Sequence, residues 1–215
     1  RKMVVLDLFC GTKSISNAFA ARGHEVYTVD WNKEFEPSLV ADIGSLTKED
    51  IINLCGGVPD VWWNSFDCSS YSIAAISHHR TKEPSGNLAP KSEYAKFCDK
   101  VNKHVLDLIK ELSPKYWFIE NPRGGLRKMS FMQGLSRYTT TYCQYGEFRQ
   151  KPTDIWTNHP NPKFKPPCKR GDPCHEAAPR GSKTGTQGIK NKIDRARIPK
   201  LLCEHIVDIC EEGNA

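Results

Sequence analysis

The chain has 215 residues, of which 38% are hydrophobic, 10% aromatic and 26% charged. These proportions predict one globular domain with a sizeable core and exclude a disordered tail or a fibre. No apolar run is long enough to span a membrane and no secretory leader is recognisable, so a cytosolic protein with no membrane partner is expected. Nine scattered cysteines favour reduced thiols, a nucleophile or a metal site over a disulfide framework.

The net charge of +6 is concentrated in one part of the chain. Residues 1–148 carry 18 basic and 17 acidic side chains, residues 149–200 carry 13 basic and four acidic ones, and residues 201–215 carry only four acidic ones. A basic segment of this kind suits a polyanion such as nucleic acid. A solvated, lysine-rich loop is the alternative that charge alone leaves open.

The first half of the chain alternates between strand and helix patterns. In chain order we predict a strand at 3–9, helix at 14–22, strand at 25–30, helix at 47–54, strand at 61–63, long amphipathic helix at 92–112 and strand at 116–119. This alternation is typical of an α/β fold with a doubly wound, mostly parallel sheet. The long helix is expected to face the core with Phe97, Val101, Val105, Leu108 and Leu112.

Chemically versatile residues follow the predicted strands. Ligands bind at the carboxyl ends of the strands in such sheets, where this chain has Gly11, Asp30, Cys68 and Glu120. Cys68 lies in a polar loop, which favours a reactive thiolate over a buried, inert cysteine. Glu120 follows an apolar run, so we predict partial desolvation and a raised pKa that lets it donate a proton near neutrality.

The first two strand ends suit an adenosyl-type cofactor. Asp7-Leu8-Phe9-Cys10-Gly11 predicts a tight turn that faces a helix N-terminus. Asp30 could bind both hydroxyls of a ribose and Trp31 could stack on an adenine, which Asp42-Ile43 could also contact. For each acid taken singly, the alternative is a helix cap or a loop carboxylate.

These motifs together resemble the DNA cytosine-5 methyltransferases, in particular small, phage-associated members. The resemblance runs through most of the chain. The family's cofactor loop falls on Asp7–Gly11, its acid-tryptophan pair on Asp30-Trp31 and its adenine-reading acid on Asp42-Ile43. Its nucleophile falls on Cys68, its Glu-Asn motif on Glu120-Asn121-Pro122 and its Gln/Arg motif on Gln144 to Lys151. The helix after Arg197-Ile198-Pro199 is similar to the C-terminal motif that closes the cofactor pocket.

The resemblance implies a Rossmann-like fold and S-adenosylmethionine-dependent methylation of cytosine C5 in DNA. Cys68 would add to C6 of a flipped base, Glu120 would bind N3, and Arg149 or Lys151 would hold O2. The implied cofactor residues are Asp7, Phe9, Gly11, Asp30, Trp31, Asp42, Ile43 and Asn64. A monomer that acts on double-stranded DNA in the cytoplasm of a bacterial or phage-infected cell is expected.

The domain organisation implied by the family is a catalytic domain at 1–157, a recognition segment at 158–197 and a returning helix at 198–215. The recognition segment is short, basic and loop-rich, where family members commonly carry a large domain. In this part of the chain Cys168, Cys174 and His175, with Cys143, are candidates for a structural zinc site. Free thiols in a loop are the alternative.

Three departures from the family pattern leave other functions open. Asp67 precedes Cys68 where proline is usual, Lys13 follows the glycine turn, and the arginine pair is only half matched by Arg149 and Lys151. The alternatives are methylation of RNA or single-stranded DNA, and a catalytically impaired, cofactor-binding DNA regulator. His78-His79-Arg80 is expected either to contact a phosphate or base, or to form an exposed turn.

Overall fold

A mixed sheet with helices on both faces forms the centre of the structure, a computed structural model that describes residues 1–180, 189 and 191–213. The strands are β1 (Val4–Leu8), β2 (Glu25–Asp30), β3 (Leu39–Val40), β4 (Val61–Ser65), β5 (Arg80–Lys82), β6 (Leu88–Pro90), β7 (Tyr116–Pro122), β8 (Arg137–Thr141) and β9 (Pro152–Thr157). The α-helices are α1 (Ser14–Ala21), α2 (Lys48–Cys55), α3 (Ile76–His79), α4 (Glu93–Leu112), α5 (Lys192–Ala196) and α6 (Lys200–Glu212).

The seven-stranded sheet has the order β3-β2-β1-β4-β7-β9-β8. The first five of these strands pair in parallel, whereas β9 is antiparallel to both β7 and β8. The predicted doubly wound, mostly parallel sheet is therefore confirmed. Strand order reverses beside β1, and ligands bind outside the carboxyl ends of the strands at such a switch point. Strands β5 and β6 form a separate antiparallel hairpin.

Two apolar layers hold the sheet between the helices. Side chains alternate across a strand, so Leu6 and Leu8 of β1 face one layer, which includes α2 and α4. Val5 faces the other layer, which includes α1 and α6. Both layers are closed to water, with Val5, Leu6 and Leu8 fully buried. Helix α4 begins where the sequence predicts it, because the Ser92 hydroxyl caps the helix by accepting the N–H of Ala95 at 3.0 Å.

The boundaries differ from the predicted ones at two places that bear on the site. Strand β7 continues to Pro122, so Glu120 lies within a strand and faces Ser65 of β4 and Ile155 of β9 in the register. Partners on both sides supply the backbone hydrogen bonds that keep this polar end extended. Phe97, predicted to face the core, is 54% exposed, and the neighbouring Cys98 is buried in its place.

The C-terminal part packs back on the sheet, since α6 lies against α1 and contributes Leu202, Ile206 and Val207 to the second apolar layer. In contrast, no residue from 166 to 180 is buried. None of the helices in the described ranges is long and apolar enough to cross a membrane.

Candidate functional site

The carboxyl ends of β2, β1, β4 and β7 lie side by side, because these strands are consecutive in the sheet. Asp30 ends β2, Gly11 follows β1, Cys68 follows β4 and Glu120 lies near the end of β7. All four residues therefore belong to one edge of the sheet. This is the edge at which the sequence predicts a ligand crevice.

The turn after β1 is held at the end of β2 by a hydrogen bond to Asp30. The carboxylate is almost buried, and it accepts the backbone N–H groups of Gly11 on Oδ2 (3.1 Å) and Asn32 on Oδ1 (2.9 Å). Each oxygen keeps a further lone pair for a ligand. Trp31 is 72% exposed, which leaves its ring accessible to a planar group.

The glycine turn has an unusual backbone with open space beside it. Gly11 has a φ of +48°, and a Cβ built there would meet no heavy atom within 4 Å. Phe9 and Lys13 also have positive φ values, of 57° and 64°. The Lys13 ammonium donates a hydrogen bond to the carbonyl oxygen of Glu36 at 2.7 Å, on the exposed side of the turn.

Asp7 and Phe9 stabilise the turn through contacts inside the protein. The Ser16 hydroxyl donates to Oδ2 of Asp7 at 2.5 Å, and burial raises the pKa of Asp7 to about 7. Phe9 packs edge to face on Phe66, with ring centroids 5.8 Å apart. Asp7 has almost no exposed surface and holds the first turn of α1 against the strand.

The other three residues expected to contact a cofactor are engaged within the protein. Asp42 caps a short 3-10 turn by accepting the N–H two residues on (3.1 Å) and the hydroxyl three residues on (3.0 Å), which is the loop-carboxylate alternative. Ile43 is buried in the core. Asn64 is fully buried and bonds the Trp62 indole and a carbonyl of β7. Ile43 and Asn64 are thus packed within the protein, and their contact with a cofactor stays a prediction.

The Cys68 thiol is partly accessible and sits among charged groups. Burial raises its pKa, and the carboxylates of Asp67 and Glu120 raise it further. The ammonium groups of Lys151 and Lys192 act in the opposite direction. The thiol is therefore mainly protonated at neutral pH, and the two lysines are the groups that favour its thiolate.

Asp67 is fixed beside the thiol by its own hydrogen bonds. Its Oδ1 accepts the backbone N–H of Ser69 at 2.8 Å, and the Tyr94 hydroxyl also bonds the carboxyl group. Burial raises the pKa of Asp67, but these bonds and the charge of Lys192 outweigh it and lower the pKa below its usual value. Asp67 thus stays ionised at neutral pH and keeps the pKa of Cys68 high.

Glu120 is a buried carboxyl group at the base of the crevice. Burial raises its pKa, while the charge of Lys151 and a hydrogen bond from the Tyr142 hydroxyl (3.4 Å to Oε1) oppose the shift. The raised pKa predicted from the apolar run before Glu120 is confirmed in direction. A carboxyl group in this state can carry a proton nearer to neutrality than an exposed one.

The two candidate cations have different surroundings, and Arg149 is occupied by the protein. Its side chain is 1% exposed, and its Nε donates to the carboxylate of Glu147. Its Nη1 donates to the carbonyl oxygen of Arg195 at 3.1 Å. Arg149 is therefore a buried, paired residue that supports the loop.

Lys151 faces the crevice. Its charge acts on both Cys68 and Glu120, and its Nζ lies 4.9 Å from the ring centroid of Tyr142. The ammonium donates to the carbonyl of Arg195 at 2.5 Å. Burial lowers the pKa of Lys151, and the negative charges of Glu120 and Cys68 counteract that shift. Of the two cations, Lys151 is the one placed to meet a base.

A buried ion pair that was not predicted from the sequence anchors the loop that carries Cys68. The guanidinium of Arg80 is 0% exposed and donates to both oxygens of Asp99 in α4, at 2.8 and 2.9 Å. It also donates to the carbonyl of Ser70 (2.9 Å) and lies 4.3 Å from the ring centroid of Tyr71. The expected phosphate contact or exposed turn is therefore wrong for Arg80. An acid within the buried stripe of α4 is the signal that could have revealed the pair.

A separate cluster lies where the chain leaves the sheet. The Sγ atoms of Cys143, Cys168 and Cys174 and Nδ1 of His175 all lie within 4.8 Å of one another. Cys143 Sγ is 3.0 Å from Cys168 Sγ and 3.5 Å from Cys174 Sγ, and Nδ1 of His175 is 3.5 and 3.6 Å from the Sγ atoms of Cys168 and Cys174. All nine cysteines are free thiols. The four residues selected from the sequence as metal ligands thus form one cluster.

The basic segment is only partly described. Its Gly185-Thr186-Gln187-Gly188 stretch lies outside the described residues. Helix α5, at the end of the segment, lies over the crevice, since Arg195 accepts from Lys151 and the charge of Lys192 acts on Cys68. Nothing in the local sequence predicts that Lys151 and Cys68 interact with α5.

Comparison of the sequence with protein-family models and with curated proteins finds no match. Solved structures do resemble the chain. The S. pombe Dnmt2 methyltransferase superposes with a TM-score of 0.52 at 14% identity, over 73% of this chain and 50% of that one. A putative DNA modification methyltransferase from an E. coli prophage gives 0.53 at 17%, over 73% and 46%. The Entamoeba histolytica methyltransferase EhMeth gives 0.54 at 14%, over 79% and 57%.

These likenesses establish the fold, which is the one that those methyltransferases share. The chain spans about half the length of each of the three structures. Identities of 14–17% extend the finding no further than the fold. Activity and substrate must be argued from the site.

Proposed function

We propose that the chain transfers a methyl group from S-adenosylmethionine to C5 of cytosine in DNA, as a member of the DNA cytosine-5 methyltransferase family. The observation that carries the proposal is the meeting of Cys68, Glu120 and Lys151 at the sheet edge that also holds Asp30 and the glycine turn. A thiol, a protonatable carboxyl and a cation are the groups that attack on C6 of a pyrimidine requires. The methyltransferase fold of the neighbours supports it.

The residues present fit an adenosyl cofactor. Asp30 ends β2 with spare lone pairs for ribose hydroxyls, and the exposed Trp31 offers a stacking face. The open space beside Gly11 would admit the amino-acid end of the cofactor. The cofactor supplies an electrophilic methyl group on sulfonium. Phe9 and Asp7 would act by shaping the turn, and Asp42 would contact the adenine only if a ligand drew it from its own cap.

The chain's own groups would make C5 nucleophilic. The Cys68 thiolate adds to C6 while Glu120 donates its proton to N3, which breaks aromaticity and places electron density on C5. Lys151, with Arg149 behind it, would hold the O2 oxygen and stabilise the thiolate. After C5 has taken up the methyl group, a base removes the C5 proton, the C6–S bond breaks to regenerate the thiolate, and N3 returns its proton to Glu120.

The target base must leave the helix before this chemistry, because C5 and C6 are stacked in duplex DNA. Flipping costs a few kcal/mol, which contacts to phosphates and base edges must offset. We assign residues 1–157 to catalysis, the basic residues 158–197 to DNA recognition and residues 198–215 to support of the cofactor side. We further propose zinc as the structural, not catalytic, occupant of the Cys–His cluster.

The test is methyl transfer from labelled S-adenosylmethionine to matched duplex DNA, single-stranded DNA and RNA in one competition assay. We expect incorporation into duplex DNA, with bisulfite sequencing locating it at cytosine C5. Incorporation mainly into RNA or single-stranded DNA would change the proposed substrate and leave the proposed reaction unchanged. Cofactor binding with neither incorporation nor a covalent adduct on 5-fluorocytosine DNA would favour a regulator that has lost catalysis.

The pH dependence provides a prediction about Asp67. Its carboxylate raises the pKa of Cys68, so Asp67→Asn is expected to lower that pKa and to increase the thiolate fraction at any pH below it. The rising limb of the pH profile of kcat/KM should move to lower pH, and the rate at neutral pH should increase a few-fold. Rates of thiol alkylation measured over the same pH range provide an independent check.

Asp107→Asn is the matched control, because Asp107 is an exposed acid on α4. Its profile should coincide with that of the wild type. A limb that stays in place in Asp67→Asn would show that another group controls the rate.

A further inference from the structure

We infer that zinc held by Cys143, Cys168, Cys174 and His175 fixes the loop that places Lys151 in the crevice, so that metal binding controls the geometry of the site. The inference rests in part on the proposed function, because that function gives Lys151 its role. The metal assignment itself rests on the ligand geometry alone. The class of ligand is a thiophilic divalent cation in a closed four-ligand site.

The spacing of the ligand atoms fits tetrahedral zinc. Bonds of about 2.3 Å to sulfur and 2.0–2.1 Å to nitrogen place tetrahedral ligand atoms roughly 3.5–3.8 Å apart. Of the six separations among the four ligand atoms, three are 3.5, 3.5 and 3.6 Å, and all lie within 4.8 Å. The separation between Cys143 and Cys168, 3.0 Å, is shorter but well above a covalent S–S bond of about 2.05 Å. Three thiolates and an imidazole leave no open position, which is typical of a structural site.

The surroundings show why a metal is needed here. Residues 166–180 bury no side chain, so an apolar core cannot hold this part of the chain. Cys143, in contrast, is buried in the turn that directly follows β8. A metal bridging Cys143 to Cys168, Cys174 and His175 would therefore attach a segment that has no apolar core to the sheet.

The attached segment in turn holds the loop between β8 and β9. The side chain of Gln150 donates to the carbonyl oxygen of Cys168 (3.4 Å), and the N–H of Glu176 donates to the carbonyl oxygen of Phe148 (2.8 Å). These two hydrogen bonds hold the loop through Cys168, which is a metal ligand, and through Glu176, which follows the ligand His175. On its other side, the carbonyl of Gln150 accepts the N–H of Tyr142, at 2.9 Å. The loop is therefore fixed between the sheet and the metal segment.

The position of Lys151 depends on these hydrogen bonds to the loop. Lys151 has a φ of +33°, a strained conformation for a non-glycine residue that persists only when the surroundings impose it. Its ammonium then reaches the face of Tyr142 and the neighbourhood of Cys68 and Glu120. Release of the metal segment would remove the bonds to the Gln150 side chain and the Phe148 carbonyl, and so allow the loop and Lys151 to relax away from the crevice.

The test compares the unaltered 215-residue chain with its variants His175→Ala, His175→Cys and Lys169→Ala. Elemental mass spectrometry should find one zinc per chain in the wild type, in Lys169→Ala and in His175→Cys, whose thiolate can replace the imidazole, and none in His175→Ala. Hydrogen exchange of residues 146–151 should accelerate about tenfold or more in His175→Ala and in chelator-treated wild type. Exchange in β1 and β4, and the melting shift produced by S-adenosylmethionine, should not change.

Two outcomes overturn the inference. The first is a wild-type protein that binds no metal, and the second is a zinc-bound protein whose 146–151 loop exchanges equally fast after the metal is removed. A metal-dependent loop in a protein that transfers no methyl group would support the inference and refute the proposed function. Loss of methyl transfer in His175→Ala and its rescue in His175→Cys, at unchanged cofactor binding, would support both.

Discussion

Replacing Cys68 by serine is expected to abolish methyl transfer while leaving cofactor binding intact. A hydroxyl remains protonated where the thiol can ionise, so the covalent bond to C6 does not form, and the rate should fall by at least about 1,000-fold. Asp30 and Trp31, which we propose to contact the ribose and the adenine, lie at the end of β2, separate from the Cys68 loop. The measurements are labelled-methyl incorporation, covalent trapping on 5-fluorocytosine DNA, and the melting shift with S-adenosylmethionine.

Cys55→Ala serves as the control. Cys55 ends α2 and is buried in the core, outside the sheet edge that carries the site. It should cost some stability but keep both methyl transfer and trapping. Full activity in Cys68→Ser would refute the nucleophile and, with it, the covalent mechanism.

Removal of the Asp99 carboxylate should produce the largest loss of stability. Asp99→Ala leaves the Arg80 guanidinium buried without its partner, which costs roughly 3–5 kcal/mol. In a domain of this size the melting temperature should fall by about 10 °C or more. The Tyr71 hydroxyl, which donates to Asp99 at 2.7 Å, also loses its acceptor. Thermal and urea unfolding measure the effect.

Two companion variants separate the charge from other causes. Asp107→Ala removes an exposed acid from the same helix and should change stability by no more than about 0.5 kcal/mol. The double variant Arg80→Met/Asp99→Leu removes both charges and should recover much of the loss. An Asp99→Ala protein as stable as the wild type would show that Arg80 finds another partner or reaches water.

The pair also connects stability with the candidate chemistry. Arg80 contacts Ser70 and Tyr71, which lie two and three residues after Cys68, and Asn102 of α4 donates to the Tyr71 hydroxyl at 2.8 Å. The nucleophile loop is thus anchored to the helix behind it. Temperature-dependent loss of trapping in Asp99→Ala, below its melting temperature, would show this anchoring in function.

The strands and most helices could be predicted because their signals are local. Apolar runs such as that of β1 stand between turn residues, and the Thr47 capping box and Ser92 cap mark where α2 and α4 begin. The polar end of β7 could not be predicted, because Glu120 stays extended through pairing with β4 and β9. Phe97 shows the same limit, since helical spacing does not by itself give the rotation of a helix toward the sheet.

The sequence alone determined the alternating α/β pattern, the polar residues at the strand ends and the residue types that can serve as nucleophile, acid and metal ligands. The tertiary structure decided which of them meet. It directed Lys151 into the crevice and Arg149 toward Glu147, buried Arg80 against Asp99, and assembled one Cys–His cluster from side chains up to 32 residues apart in the chain. Local propensity acts over a few neighbouring residues, whereas charge pairing, burial and metal geometry depend on distances that only the packed chain establishes.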